Sequence, residues 1–269
     1  MAANEQGASE PGKRASLEWA APVLDIFDSI GSLLILTGQT LLWMVRPPYR
    51  LSQLFNAMDF VGVQSVFIVS LTGIFSGMVL ALQTTHSLRQ FGAEGIVGSV
   101  VAISLTREIS PVFTALMVTA RAGSAMAAEL GNMRVTEQID ALVTMGVSPQ
   151  QYLLSPRMLA SVLMVPLLCI LYTCVGMFGA WLVAVQMLGV DLGNFIANIQ
   201  NYLVMRDFWM GEIKACVFGF LIAAIACRQG YFASGGAKGV GEATTRAVVH
   251  SAVGILIANY LITNLMTDL

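Results

Sequence analysis

Residues 119–156 read TARAGSAMAAELGNMRVTEQIDALVTMGVSPQQYLLSP. This is the long polar interruption in the middle of an otherwise membrane-grade sequence, and it separates two apolar runs, residues 96–118 and 158–188. Inside it, residues 137–145 (EQIDALVTM) predict a short helix, with Thr136 placed as N-cap, acids in the first turn and Gly146 at the stop. Ile139, Leu142, Val143 and Met145 fall on one side of that helix, while Glu137, Gln138, Asp140 and Thr144 look elsewhere. Such a segment is either a solvated loop helix or a handle for something outside the membrane. The pattern alone leaves both open.

The composition around it sets the class. Of 269 residues, 56% are hydrophobic and 11% charged, with a mean hydropathy of +0.74. That excludes a soluble globular domain. Several uncharged stretches approach or exceed the roughly 20 residues needed to cross a bilayer, so the expected fold is an all-α polytopic membrane protein. A net charge of −2 carries no nucleic-acid footprint. The first 16 residues are polar and no short apolar core with a small-residue cleavage site follows, so no signal peptide is expected. Cys169, Cys174, Cys216 and Cys227 lie in apolar runs without CxxC spacing and read as buried small hydrophobes, not as disulfides or metal ligands. No internal repeat is apparent.

Residues 1–15 are expected to be a disordered polar tail, and residues 16–269 a single domain. Residues 16–45 predict a helix stopped by Arg46-Pro47-Pro48. Its second half, residues 29–45, holds 17 uncharged residues, at the lower limit for a span. Five spans follow, at about 60–82, 96–118, 158–188, 208–227 and 247–267. The first carries Gly73-x-x-x-Gly77, a spacing that permits close backbone approach between membrane helices, within a subunit or across a dimer. The fourth is short: residues 215–227 number only 13, so the helix must start near Phe208 and carry Glu212 and Lys214 in its first turns.

Basic residues orient the chain. With five spans and the 16–45 helix lying flat in the interface, one side receives ten: Lys13, Arg14, Arg46, Arg50, Arg121, Arg134, Arg157, Arg228, Lys238 and Arg246. The other receives Arg89 and Arg206, plus Lys214 if it snorkels outward. A crossing first helix would weaken that bias. The expectation is therefore an interfacial first helix, a cytoplasmic N-terminus and 119–156 segment, and a periplasmic C-terminus.

Arg107-Glu108 in mid-span is the most costly feature, at roughly 3 kcal/mol per charge on insertion scales. Neighbours on a helix diverge by about 100° and pair poorly with each other. Glu212 and Lys214 are the expected partners. The cluster is either a structural network or a polar lining for a headgroup or ions. Residues 235–241 (GGAKGVG) lack the GxxxxGK[ST] pattern and follow a membrane helix, so a flexible cytoplasmic turn is expected rather than a phosphate loop. No other nucleotide-binding pattern is present. Ser124 and His250 could in principle form an intramembrane dyad, but Ser124 sits in a small-residue stripe better explained by close packing. There is no HExxH and no metal cluster.

Four stretches together are similar to the MlaE/YrbE permease family, the membrane subunits of Mla- and Mce-type ABC lipid transporters. They are residues 120–142 (ARAGSAMAAELGNMRVTEQIDAL), 73–83 (GIFSGMVLALQ), 104–112 (SLTREISPV) and 243–251 (ATTRAVVHS), and the likeness runs from about Ser16 to the C-terminus. The resemblance implies a homodimer in the bacterial inner membrane, each subunit with an interfacial helix, five spans and a coupling helix at about 136–145. Arg134, Glu137, Gln138, Asp140 and Leu142 would meet a cytoplasmic ABC ATPase dimer, which would bind ATP and Mg; this chain needs no cofactor of its own. A periplasmic MCE-domain hexamer, a small STAS-domain protein in some systems, and a phospholipid held between the two subunits complete the expected partners. The family's polar cluster near the lipid maps onto Arg107, Glu108 and Lys214. The chain carries Asn259 where the best-known members have Asp, which removes a negative charge. Two rival functions are an ion-coupled transporter or channel using Arg107, Glu108, Glu212 and Lys214, and an intramembrane serine hydrolase.

Overall fold

The computed structural model describes residues 21–44 and 51–267. The expected 1–15 tail, the start of the 16–45 helix and its Pro47-Pro48 stop lie outside the described residues. Eight helices are described: α1 (Ala21–Met44), α2 (Leu51–Arg89), α3 (Glu94–Val135), α4 (Gln138–Thr144), α5 (Gln150–Met187), α6 (Leu192–Tyr202), α7 (Met205–Tyr231) and α8 (Gly236–Thr267). Helices α2, α3, α5, α7 and α8 are long and apolar enough to cross a membrane. The five expected spans are therefore present.

Their lengths are not those of the apolar runs. Helix α3 continues from its apolar half through Ala- and Met-rich residues to Val135, so nearly half of the polar 119–156 stretch prolongs a span. Good helix formers carry the backbone onward after hydrophobicity ends. Likewise α8 begins at Gly236, eleven residues before the expected span start. Gly235 and Gly236 take the turn with φ of 90° and 69°, a conformation that suits glycine; the rest of GGAKGVG is helix and not the expected flexible turn.

The connection between α5 and α7 is ordered as α6, which the sequence reading did not anticipate. Asp191 caps it, accepting from the Asn194 N–H at 2.8 Å. Phe195 buries itself against Gly98, and Asn198 Nδ2 donates to the Gly95 carbonyl at 2.7 Å, pinning α6 to the start of α3.

Two ends of the bundle can be told apart. The basic end carries α1, α4, the start of α2 and the α7–α8 turn; the far end carries α6 and the α2–α3 turn. At the basic end Leu36 of α1 joins Leu130, Ile139, Leu153, Leu154 and Cys227 in a small apolar cluster. Arg228 Nε donates to Ser32 Oγ at 2.8 Å, a second tie between α1 and α7.

The main core runs along α2, α3, α5 and α7 around Leu105, Tyr172, Phe218 and Ile222. Close approach of α2 to α5 needs the Gly73 and Gly77 pair. A Cβ on Gly77 would overlap the Gly176 carbonyl, and one on Gly73 would press on Tyr172. Ser76 and Tyr172 share a hydrogen bond of 2.6 Å along the same seam. The GxxxG spacing is thus used within the subunit for close packing, with both glycines buried under α5. Cys174 is exposed and Cys216 half-buried, against the expectation of four buried cysteines.

Candidate functional site

The mid-span charges of α3 and their partners on α7 lie in the far half of the bundle. Residues 105–109 of α3 form a π turn, one residue wider than an α turn, and it contains both Arg107 and Glu108. Pro111 has no N–H, so the carbonyl four residues before it, that of Arg107, loses its α-helical donor. Lys214 Nζ donates to that carbonyl at 3.0 Å. It also donates to Glu108 Oε1 at 2.6 Å and to Thr263 Oγ1 at 2.9 Å, so all three ammonium protons are placed. The side chain is 2% exposed. A cation so deep is tolerable only with this complete set of partners.

Arg107 turns the other way. Its Nε donates to Asp207 Oδ1 at 2.7 Å. Of the two expected partners on α7, Lys214 pairs with Glu108 but Glu212 pairs with neither charge. Asp207 and Lys214 stand seven residues apart, two turns along one face of α7, and that face is laid against α3. Glu212 is five residues from Asp207 and points elsewhere; it is buried and meets the Cys169 thiol of α5. Between the two charges on the α7 face sits Gly211, whose missing side chain lets the Thr106 carbonyl come into contact. Without that close approach neither ion pair would be short.

Asp207 was missed by sequence reasoning because it precedes the apolar run and reads as a loop acid. Its signal was its position three residues after Val204, at the start of α7. Its second oxygen, Oδ2, accepts the Val204 N–H at 3.1 Å, so one carboxylate both caps the helix and holds Arg107.

Helix α8 closes the cluster. Asn259 Nδ2 donates to Glu108 Oε2 at 3.1 Å, and Thr263, one turn on, lies within 3.3 Å of Glu108 Oε1. Asn259 Oδ1 is buried without a partner among the described residues. Of the expected site residues, Arg107, Glu108, Lys214 and Asn259 therefore come together, Asp207 and Thr263 join them, and Glu212 stays apart.

Exposure is lopsided. Asp207 and Lys214 are 1% and 2% exposed, whereas Arg107 and Glu108 are 44% and 40% exposed. The anchoring partners are sealed inside the subunit; the α3 charges show an open side. Such a half-open Arg–Glu pair can take a hydrogen-bonding or charged group from outside the subunit without breaking its internal bonds.

The second expected site sits at the basic end. Helix α4 spans Gln138–Thr144, shorter than the expected 136–145. Thr136 is not its cap: the Thr136 hydroxyl donates to the Asn132 carbonyl, at the end of α3. Glu137 takes the N-cap position instead, in the left-handed region at φ 60°, and turns the chain sharply from α3 into α4. Ile139 is buried and Leu142 is half-buried against the small apolar cluster, but Val143 and Met145 are exposed. The single apolar side expected for this helix is therefore split, because one short helix seats only the residues within a narrow arc. Arg134 and Asp140 pair at 2.6 Å; Glu137 and Gln138 are exposed.

The serine–histidine dyad does not form. Ser124 Oγ donates to the Ala120 carbonyl at 2.6 Å within its own helix, and His250 Nδ1 lies 3.0 Å from Gln229 Nε2.

Comparisons with known proteins agree with this architecture. The family model described as Permease MlaE matches residues 54–265. A probable ABC transporter permease protein of Rickettsia felis is 43% identical over 237 residues, 88% of this chain and 92% of the relative. The intermembrane phospholipid transport system permease protein MlaE of Haemophilus influenzae is 38% identical over 245 residues, 91% of this chain and 94% of the relative. Protein TRIGALACTOSYLDIACYLGLYCEROL 1, chloroplastic, of Arabidopsis thaliana is 36% identical over 233 residues, 87% of this chain and 67% of the relative. Five membrane-grade helices, a charged cluster held between three of them, and a match covering most of the sequence place this chain in the MlaE permease family, as a multi-pass membrane transport subunit.

Proposed function

We propose that this chain is the permease subunit of an ABC transporter that moves phospholipids between the bacterial inner membrane and a periplasmic MCE-domain hexamer, working as a homodimer. The observation that carries this reading is the half-open Arg107–Glu108 pair in a chain without a nucleotide-binding pattern. A permease of this kind needs a polar contact for a lipid headgroup inside the membrane and must receive its energy from a partner. Arg107 suits a phosphate, since its guanidinium keeps donors beyond those given to Asp207.

In this reading α4 is the coupling helix. Ile139 and Leu142 fix it to the bundle, while Val143, Met145, Glu137 and Gln138 face a cytoplasmic ABC ATPase dimer that holds ATP and Mg. A small STAS-domain protein would sit on that ATPase. Closure of the ATPases shifts α4, and α3 transmits the shift, since the chain turns directly from α3 into α4 at Glu137. The N-terminus then lies in the cytoplasm and the C-terminus in the periplasm.

The test is Glu137→Lys combined with Asp140→Lys, expressed with the neighbouring transporter subunits. Purified complexes should lose most of the co-purifying ATPase, and lipid transfer should fall by roughly tenfold or more, as loss of a docking contact requires. Full ATPase association and full transfer would overturn the assignment. Transport by the subunit alone, without any ATPase, would favour an ion-coupled carrier instead.

A further inference from the structure

The four charges of the mid-span cluster pair off completely. Arg107 is matched by Asp207 and Lys214 by Glu108, while Asn259 and Thr263 add hydrogen-bonding groups and no charge. The cluster therefore sums to zero. On an unpaired guanidinium an anionic headgroup would be the preferred guest, because phosphate fits its planar donors and the charges attract. The guanidinium of Arg107 is already paired.

Its neutraliser is fixed in place. Asp207 is only 1% exposed; its Oδ1 receives both Nε and Nη2 of Arg107, and its Oδ2 accepts the Val204 N–H at 3.1 Å. A carboxylate held by a helix start and a guanidinium cannot be pushed aside by a guest without leaving a buried charge unpaired.

Arg107 nevertheless stays open. A guanidinium has five N–H donors. Two go to Asp207 and the rest belong to a side chain that is 44% exposed. Arg107 thus has hydrogen bonds to offer but no net charge to offer with them. A phosphate on those donors would share one guanidinium with the Asp207 carboxylate, inside a helix long and apolar enough to cross a membrane. Uncompensated charge is costly there. Lys214 cannot make up the difference, since its three protons go to the Arg107 carbonyl, Glu108 and Thr263 and its side chain is 2% exposed. A headgroup of net charge −1 leaves the site one negative charge in excess. A zwitterionic headgroup brings its own cation and leaves the sum at zero.

Resting on the reading of Arg107 as a headgroup contact, we infer that Asp207 sets the class of headgroup. By neutralising Arg107 from inside the subunit, it makes the site prefer zwitterionic phospholipids such as phosphatidylethanolamine over anionic ones such as phosphatidylglycerol. Asp207 acts through Arg107 and touches no lipid itself.

Native mass spectrometry of the full-length protein, purified with its neighbouring transporter subunits and given equal amounts of phosphatidylethanolamine and phosphatidylglycerol, tests this. The unaltered protein should retain phosphatidylethanolamine about tenfold better, the effect of one charge contact. Asp207→Asn keeps a capping side chain of the same shape and removes the charge. Arg107 then becomes a net cation, and the preference should invert towards phosphatidylglycerol. Asp207→Glu retains the charge and should retain the original preference. Equal retention of both lipids by the unaltered protein, or an unchanged ratio in Asp207→Asn, would overturn the role of Asp207; the unaltered protein decides alone if the variant does not fold. Arg107→Gln separates this from the underlying reading. If it weakens retention of both lipids while Asp207→Asn leaves their ratio unchanged, only the role of Asp207 falls. If Arg107→Gln retains both lipids in full, the headgroup contact falls and the role of Asp207 with it.

Discussion

Helices α7 and α8 are adjacent in the chain, similar in hydropathy and opposite in surroundings. The most apolar window of α7 has a hydropathy of 1.8 and is 67% buried within the subunit; that of α8 has 1.5 and is 11% buried. Helix α7 is the post on which α3, α5 and α8 lean, and it brings Asp207, Gly211 and Lys214 to α3. Helix α8 gives the cluster only the edge bearing Asn259 and Thr263, and leaves Val253, Ile257, Tyr260 and Leu261 exposed. The contrast teaches that in a membrane apolarity selects what crosses, not what lies inside, because lipid is as acceptable to leucine as another helix is. Small residues and paired charges select the interior. Helix α7 has both on one face.

Breaking the α7 side should have the largest consequence. Lys214→Ala strips Glu108 of its ion pair and leaves the Arg107 carbonyl and Thr263 without their donor; the expected loss is about 3–5 kcal/mol of subunit stability, the range for breaking a buried pair. Unfolding in detergent, followed by intrinsic tryptophan fluorescence, measures it, and a loss below about 1 kcal/mol would mean that the cluster is not sealed. Gly211→Val comes next. Its side chain would strike the Thr106 carbonyl and push α7 from α3, costing about 1–3 kcal/mol by overpacking. The same unfolding measurement checks this, and a neutral result would show that the two helices can separate freely.

Leu261→Ala on α8 gives the smallest effect on the subunit, within about 0.5 kcal/mol, as for residues with few partners. In the proposed homodimer this face is available to the second subunit, so disulfide cross-linking between cysteines introduced on α8 is the informative readout. A large loss of subunit stability from Leu261→Ala would put α8 inside the bundle and erase the contrast.

How much was legible follows from the same residues. The cost of Arg107 and Glu108 in an apolar run was visible at once, since no lipid can compensate it. Lys214 was a natural partner because it too sat near an apolar run. Asp207 was not, because its role depends on α7 starting at Met205 and on Gly211 drawing that helix close. Glu212 looked equivalent to Lys214 in the sequence, two residues away. On a helix two residues are about 200° apart, which sends one to α3 and the other to α5. Thr136 had a capping residue's chemistry, yet the longer helix α3 reached it first and took its hydroxyl.

The sequence by itself determined the number of spans, their order and the family, because hydropathy over about 20 residues and motif spelling are local properties. It also determined that mid-membrane charges had to find partners. Only the tertiary structure decided which partners, which helix became the buried post, and that Gly73 and Gly77 let α5 come close to α2. Those outcomes rest on helix phase and on how closely two backbones can approach, and both are fixed by contacts between residues about a hundred positions apart, as between Arg107 and Asp207.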